Sequence, residues 1–199
     1  MINPQNIDRY FNVFFDYVRI LVDIPEVDQK NCRQYFKPIF VKKDTIIAAE
    51  GTIHNHHNFI VSGYMRKYYR DEEEQEIITD INDGPRFFTS YNHFAHRSIS
   101  NENLQCITDC ELLQITRDDV DISAKVGITQ GDYSMKILQQ QLESNKQRII
   151  ELNTLSAEQR YLKLMQNHPN IIQNIPLKYI ASYLGINPGS LSRIRKEIK

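Results

Sequence analysis

The segment from Leu177 to Lys199 constrains this chain more than any other. Leu177-Lys178-Tyr179-Ile180-Ala181-Ser182-Tyr183-Leu184 carries an apolar stripe at helical spacing and stops at Gly185. Ile186 and Asn187 follow, and Pro188 can open a second helix running to Ile198. Asn187 is a good N-cap, and Pro188 sits in a first turn where its missing N–H costs nothing. Gly185 supplies the positive φ of a tight turn, while the small Ala181 lets two helices approach closely. Ile180, Leu184, Ile186, Leu191 and Ile194 supply the buried contacts. The spacings predict a helix-turn-helix.

The second helix carries the chemistry. With Leu191, Ile194 and Ile198 buried, Gly189, Ser192, Arg193 and Lys196 share the opposite face. Small residues near its N-terminus permit close entry to a major groove, and free N–H groups there attract phosphate. Arg193 is placed to read guanine bidentately, and Lys196 and Lys199 to neutralise phosphates. Ser190 is either a first-turn cap or a phosphate contact. The candidate DNA-binding set is therefore Asn187, Gly189, Ser190, Ser192, Arg193, Lys196 and Lys199. A hairpin used only for packing would share the apolar stripe but would not need the cationic face. Charge agrees: residues 154–199 hold seven Lys and Arg against two Glu, a net of +5. The first 153 residues hold 17 bases and 23 acids, so the overall net charge of -1 hides a basic end on an acidic body.

Upstream, Met135, Leu138, Leu142, Asn145, Ile149 and Leu152 recur at alternating intervals of three and four. This is a heptad seam with one polar member, Asn145, and a symmetric partner helix is the simplest occupant. Packing against the chain's own sheet is the alternative.

Before Val120 the pattern is different. Asn6 to Ile20 reads as an amphipathic helix through Ile7, Tyr10, Phe11, Phe14, Phe15 and Val18, and Asp28 to Tyr35 as a short second one. Then come short apolar runs at 39–41, 45–47, 59–61, 65–69, 76–79, 104–107 and 112–115. Turn-formers separate them: Glu50-Gly51, Ser62-Gly63, the acidic run Asp71 to Glu76, and Asn82-Asp83-Gly84-Pro85. Regular short strands with this punctuation predict an antiparallel sandwich or barrel, with the acidic run as a solvated hairpin tip.

With 199 residues, 41% hydrophobic and 25% charged, the chain has room for one large domain or two modest ones. No apolar run approaches the roughly 18 residues that a membrane span needs, and Met1-Ile2-Asn3-Pro4-Gln5 lacks the pattern of a secretory leader. Cys32, Cys106 and Cys110 are too few for a disulfide scaffold, so a reducing cytoplasm is expected.

These residues resemble the Crp/Fnr family of bacterial transcription regulators along nearly the whole chain. Asn58-Phe59-Ile60-Val61-Ser62-Gly63-Tyr64-Met65-Arg66-Lys67-Tyr68-Tyr69 is similar to the middle of the family's cyclic-nucleotide-binding β-roll, and the seam helix to its dimerisation helix. Leu155 to Leu162, with Ile180-Ala181-Ser182-Tyr183-Leu184-Gly185-Ile186 and Leu191-Ser192-Arg193-Ile194-Arg195, is similar to its DNA-binding domain. The resemblance implies an α+β chain with three parts. Residues 1–118 form a jelly-roll-like sensor flanked by helices, 119–153 a dimerisation helix and hinge, and 154–199 the helix-turn-helix. It implies a homodimer on a palindromic site in double-stranded DNA, with RNA polymerase as a further partner. The chain stops at Lys199, so a complete two-stranded wing is not expected.

In the family's nucleotide-binding members a Gly-Glu pair holds the ribose, and an Arg-Ser about ten residues later holds the cyclic phosphate. Here the first position falls in Phe88-Thr89-Ser90, without a carboxylate. Alignment back from Cys110-Glu111-Leu112 puts Ser100-Asn101 at the second, and Arg97-Ser98 fits only with a shifted register. Losing a charge-assisted arginine pair forfeits roughly 1.5–3 kcal/mol, so cyclic AMP binding is expected to be weak or absent, with another effector or none. Phe88, Thr89, Ser90, Ser100, Asn101 and Asn145 are the candidate effector contacts. Asn145 lies where the dimer helix would reach the base, although fixing helix register is the role preferred for it.

Ile53-His54-Asn55-His56-His57 invites a metal reading, since His54 and His56 would share a strand face as in cupins. The glutamate expected next is replaced by Phe59-Ile60-Val61, and a solvated hairpin turn accounts for the histidines. Cys106 and Cys110 cannot hold an iron–sulfur cluster alone. No metal, cofactor or catalytic residue is expected, and the chain is read as a regulator rather than an enzyme. A sensor that has lost DNA binding and a cupin-like metalloenzyme are the alternatives.

Overall fold

The computed structural model describes residues 7–82 and 84–198. Asn6, Asp83 and Lys199, which figured in the expected first helix, a turn and the DNA-binding set, lie outside the described residues.

Helix α1 (Ile7–Arg19) buries Tyr10, Phe11, Phe14, Phe15 and Val18 along one face. Helix α2 (Glu26–Tyr35) follows and leads into the first strand. Strands β1 (Lys37–Val41), β2 (Ile46–Ala48), β3 (His56–Ser62), β4 (Met65–Arg70), β5 (Glu76–Ile81) and β6 (Arg86–Phe87) precede the short helix α3 (Tyr91–His96). Strands β7 (Asn103–Cys106) and β8 (Cys110–Thr116) complete two antiparallel four-stranded sheets, ordered β1-β8-β3-β6 and β2-β7-β4-β5. Strand alternation fixes which side chain faces which layer. Ile60, Leu112, Leu104, Met65 and Phe88 fill the space between the sheets. Their neighbours Phe59, Val61, Leu113, Ile115 and Phe87 turn outward onto α1. There Phe14 meets Phe59 edge-on, with ring centroids 5.1 Å apart.

The β3–β4 turn shows why one residue must be glycine. Gly63 has φ of 95°, and a Cβ there would lie 2.4 Å from the Asp109 carbonyl oxygen.

After the sandwich the chain is helical, in two pieces rather than one. Thr116 caps α4 (Arg117–Val126) by accepting the Asp119 N–H. The long helix α5 (Gln130–Thr154) starts after a break at 127–129. The break is pinned by Asp28, a buried carboxylate that accepts from the N–H groups of Ile128 (2.9 Å) and Thr129 (2.7 Å) and from the Thr129 hydroxyl (2.6 Å). Burial pushes the Asp28 pKa up, but these three donors outweigh it and hold the group below its usual range. The tail is α6 (Ala157–Asn167), opened by a Ser156–Gln159 capping box, then α7 (Pro169–Asn174), α8 (Leu177–Leu184) and α9 (Pro188–Glu197).

One expectation is corrected here. The histidines do not form a solvated turn. His54 is buried and bonds the Ala49 carbonyl at 3.0 Å, and only His56 is exposed. His57 opens onto the outer face of β3, stacked between the rings of Phe87 and Phe94. Strand register, rather than composition, decides these environments.

Candidate nucleic-acid interface

The helix-turn-helix forms as its spacing predicts. Gly185 takes φ of 63°, and the Ile186 N–H reaches back to the Ala181 carbonyl at 2.9 Å, closing α8. Asn187 Oδ1 accepts the Gly189 N–H at 2.8 Å, capping α9 with Pro188 in its first turn. Ile180, Ala181, Leu184, Ile186 and Leu191 are buried between the helices. Arg160 steadies the unit from α6, donating to the carbonyls of Leu184 (2.9 Å) and Leu155 (2.6 Å).

This packing sets the face of α9. Asn187, Pro188, Gly189, Ser190, Arg193, Arg195 and Lys196 are exposed, and Ser192 is half-buried. Among the described residues no carboxylate pairs with Arg193, Arg195 or Lys196. The arrangement offers small residues at the helix start, unoccupied guanidinium groups in its second half, and a free ammonium group beyond. Such a surface suits a polyanion with an acceptor-rich groove.

The unit is docked on the sandwich. Strand β5 is the edge of its sheet, and α8 covers it. The Ile78 N–H donates to Ser182 Oγ at 3.0 Å, and that hydroxyl donates to the Glu76 carbonyl at 3.1 Å. Arg148 of α5 donates to the carbonyls of Thr79 (3.0 Å), Ile78 (3.1 Å) and Tyr183 (2.8 Å) and lies over the Tyr183 ring. Arg66 of β4 is sandwiched between Tyr68 and Tyr179, 4.0 Å from each ring centroid, and bonds Glu76. That arginine, more than burial, holds the Glu76 carboxylate below its usual pKa. A groove beneath the start of α9 runs between Glu76 on one side and Asn187 and Pro188 on the other. Glu76 therefore belongs to a contact between the sheet and the helix-turn-helix unit. Sequence pattern alone assigned it to a solvated tip.

The expected seam divides in two. Met135, Leu142 and Ile149 are 58–70% exposed, forming an open apolar stripe on α5, with Asn145 exposed among them and bonded to Gln141 of the same helix. Leu138 is half-buried and turns to a cavity under the helix. Leu152 turns partly to the tail, where a Cβ on Gly185 would lie 3.3 Å from its Cδ2. The stripe does not pack on the chain's own sheets.

The expected effector contacts are occupied by neighbouring residues outside the expected set. Phe88 is buried between the sheets. Thr89 Oγ1 accepts the Asn58 N–H at 3.0 Å and bonds His57 Nδ1 at 2.8 Å. The Ser90 hydroxyl donates to the Glu102 carboxylate, whose N–H donates to Ser100 Oγ at 3.0 Å. His93 bonds Asn101 at 3.2 Å. Asn145 is bonded to none of them. The finding that sequence reading missed is Glu102, which brings to Ser90 the carboxylate absent from Phe88-Thr89-Ser90. Arg97 is engaged elsewhere, by Asp118 (2.6 Å) and Asp121 (3.4 Å) of α4. Among the described residues no three His, Cys, Asp or Glu side chains group to hold a metal, and no helix is long and apolar enough to cross a membrane.

No protein-family model matches the sequence, and no curated protein matches it in sequence. Solved structures do match. FixK2 from Bradyrhizobium japonicum is similar over 82% of this chain and 84% of its own, at 14% identity and a TM-score of 0.70. CLP from Xanthomonas campestris, a c-di-GMP responsive global regulator, matches over 86% and 90%, at 13% identity and 0.68. A protein assigned to the Crp/Fnr family of transcriptional regulators from Eubacterium rectale matches over 92% and 87%, at 18% identity and 0.68. At such identities the shared property is the path of the chain.

Proposed function

We propose that this chain, which has the Crp/Fnr-type regulator fold, is a homodimeric DNA-binding transcription regulator and not an enzyme. The observation that carries the reading is the α9 face, where Arg193, Arg195 and Lys196 project without carboxylate partners among the described residues, from a capped helix seated through the buried Leu191 and Ala181. The exposed stripe of Met135, Leu142 and Ile149 supports a parallel pair of α5 helices related by a twofold axis. Such a pair would present two α9 helices to successive major grooves of a palindromic site, about 34 Å apart. Its output would be the recruitment or exclusion of RNA polymerase in the cytoplasm.

An effector could work only by favouring one placement of the DNA-reading unit over another. Arg148 is well situated for this, because one guanidinium group joins the dimer helix, the sheet edge and α8. The Glu102 cluster supports a cyclic-nucleotide site that has lost its phosphate-binding arginine, since Arg97 is committed to α4.

A mobility-shift assay tests the reading. Affinity for duplex DNA should fall steeply between low and physiological salt, as released counterions require. Arg193→Ala should weaken specific binding by about 1–3 kcal/mol relative to competitor DNA. Full discrimination by that variant would remove Arg193 from the interface. Failure of the wild type to bind duplex DNA at low salt would favour a sensor acting through protein contacts.

A further inference from the structure

A cavity lined by aromatic side chains lies away from the expected effector residues. It sits on the outer face of the β1-β8-β3-β6 sheet, under α3 and the start of α5, with a volume near 270 Å³. Phe88 is on the other side of that sheet, and none of the expected effector contacts lines this space. One wall is a three-ring stack. His57 lies 4.4 Å from Phe87 at an interplanar angle of 11°, and 5.4 Å from Phe94 at 24°.

Two polar groups in the lining have nitrogens without a partner among the described residues. Thr89 Oγ1 accepts the Asn58 N–H and is bonded to His57 Nδ1. The described residues supply no partner for His57 Nε2. Burial holds the His57 pKa down to about 3, so that the ring is neutral. Arg117 gives Nη1 to Asp121, while its Nε is buried without a partner. Its Nη2 has no partner among the described residues and is the donor left for an anion. Asp121, which also lines the cavity, is paired with both Arg117 and Arg97.

We propose that this cavity binds a small planar aromatic carboxylic acid. Its ring would lie along the Phe87–His57–Phe94 stack, and its carboxylate would pair with Nη2 of Arg117. The size admits a ligand of one or two fused rings, since drug-sized pockets begin at about 300 Å³. The site is independent of DNA binding and can be tested without it.

The chain contains no tryptophan, so an added indole can be followed by its own fluorescence. Indole-3-acetate titrated with the full-length protein should show a saturable rise in anisotropy, with a Kd of roughly 0.1–1 mM for a ligand of this size. Indole-3-acetamide, which keeps the shape without the charge, should bind about tenfold more weakly. Arg117→Gln should abolish that preference. Ser134→Phe and, independently, Ala95→Phe should fill the space and remove binding while the melting transition is retained. Three results would each overturn the proposal: no saturable signal from the folded wild type, equal affinity for acid and amide, or unchanged binding in a folded cavity-filling variant.

Discussion

Ser182 Oγ accepts the N–H of Ile78 at 3.0 Å, so a side chain of the helix-turn-helix unit caps the free edge of the β2-β7-β4-β5 sheet. The same hydroxyl donates to the Glu76 carbonyl. An edge strand with open N–H and C=O groups is a hazard, and here α8 and Arg148 cover it. The contact that protects the sheet is therefore also the contact that fixes where α9 points.

Ser182→Ala leaves the Ile78 amide without its acceptor. A hydrogen bond of this kind is worth about 0.5–1.5 kcal/mol net, so exchange of the Ile78 amide proton should quicken roughly two- to tenfold. Amide exchange followed by NMR reads this directly. Unchanged protection at Ile78 would mean that the unit is undocked in solution.

Asp28→Asn removes the carboxylate that joins α2 to the break before α5. The expected cost near neutral pH is about 1–3 kcal/mol, as for a buried hydrogen-bonded charge. The sign of its pH dependence follows from the lowered pKa. The folded state holds the proton less tightly than the unfolded chain, whose group titrates near 3.8. The contribution is therefore complete above that value and is lost as pH falls through the lower folded pKa. Urea unfolding at pH 7 and at successively lower pH should show wild type and variant converging below about pH 4. A constant gap across that range would contradict the assignment.

Leu142→Glu places a charge in the middle of the exposed α5 stripe, where Leu142 is 70% exposed in the single chain. A folded monomer should tolerate that change within about 0.5 kcal/mol, whereas a twofold seam would bring two such charges face to face. Sedimentation should show the variant shifted to monomer with its helical content intact. A wild-type monomer at micromolar concentration would place the dimer elsewhere or nowhere.

Much of this arrangement was legible because it is written in period. The stripe of α1 and the Gly185-Ile186-Asn187-Pro188 turn are local patterns that burial later obeyed. The strands were legible as short apolar runs between turn-formers, except β6, whose two residues are too few to make one. Helix α3 was lost among polar residues for the same reason, six residues being under two turns. The break between α4 and α5 could not be read, since its cause is Asp28, about a hundred residues away in sequence. The candidate effector site failed to emerge for a related reason: Glu102 reaches Ser90 from a different loop. Roles that depend on which side chain folds back onto which strand edge, as with Glu76, Arg148 and Ser182, leave no periodic trace.

Enrichment of duplexes from a random library by the full-length protein, followed by footprinting of the winners, tests the central claim most directly. A paired set of α9 helices should select an inverted repeat whose half-sites are centred about one helical turn apart, roughly 10 base pairs, with protection on both halves at one protein concentration. Enrichment of a single unrepeated half-site, or no enrichment above bulk DNA, would contradict a twofold regulator reading DNA through Arg193.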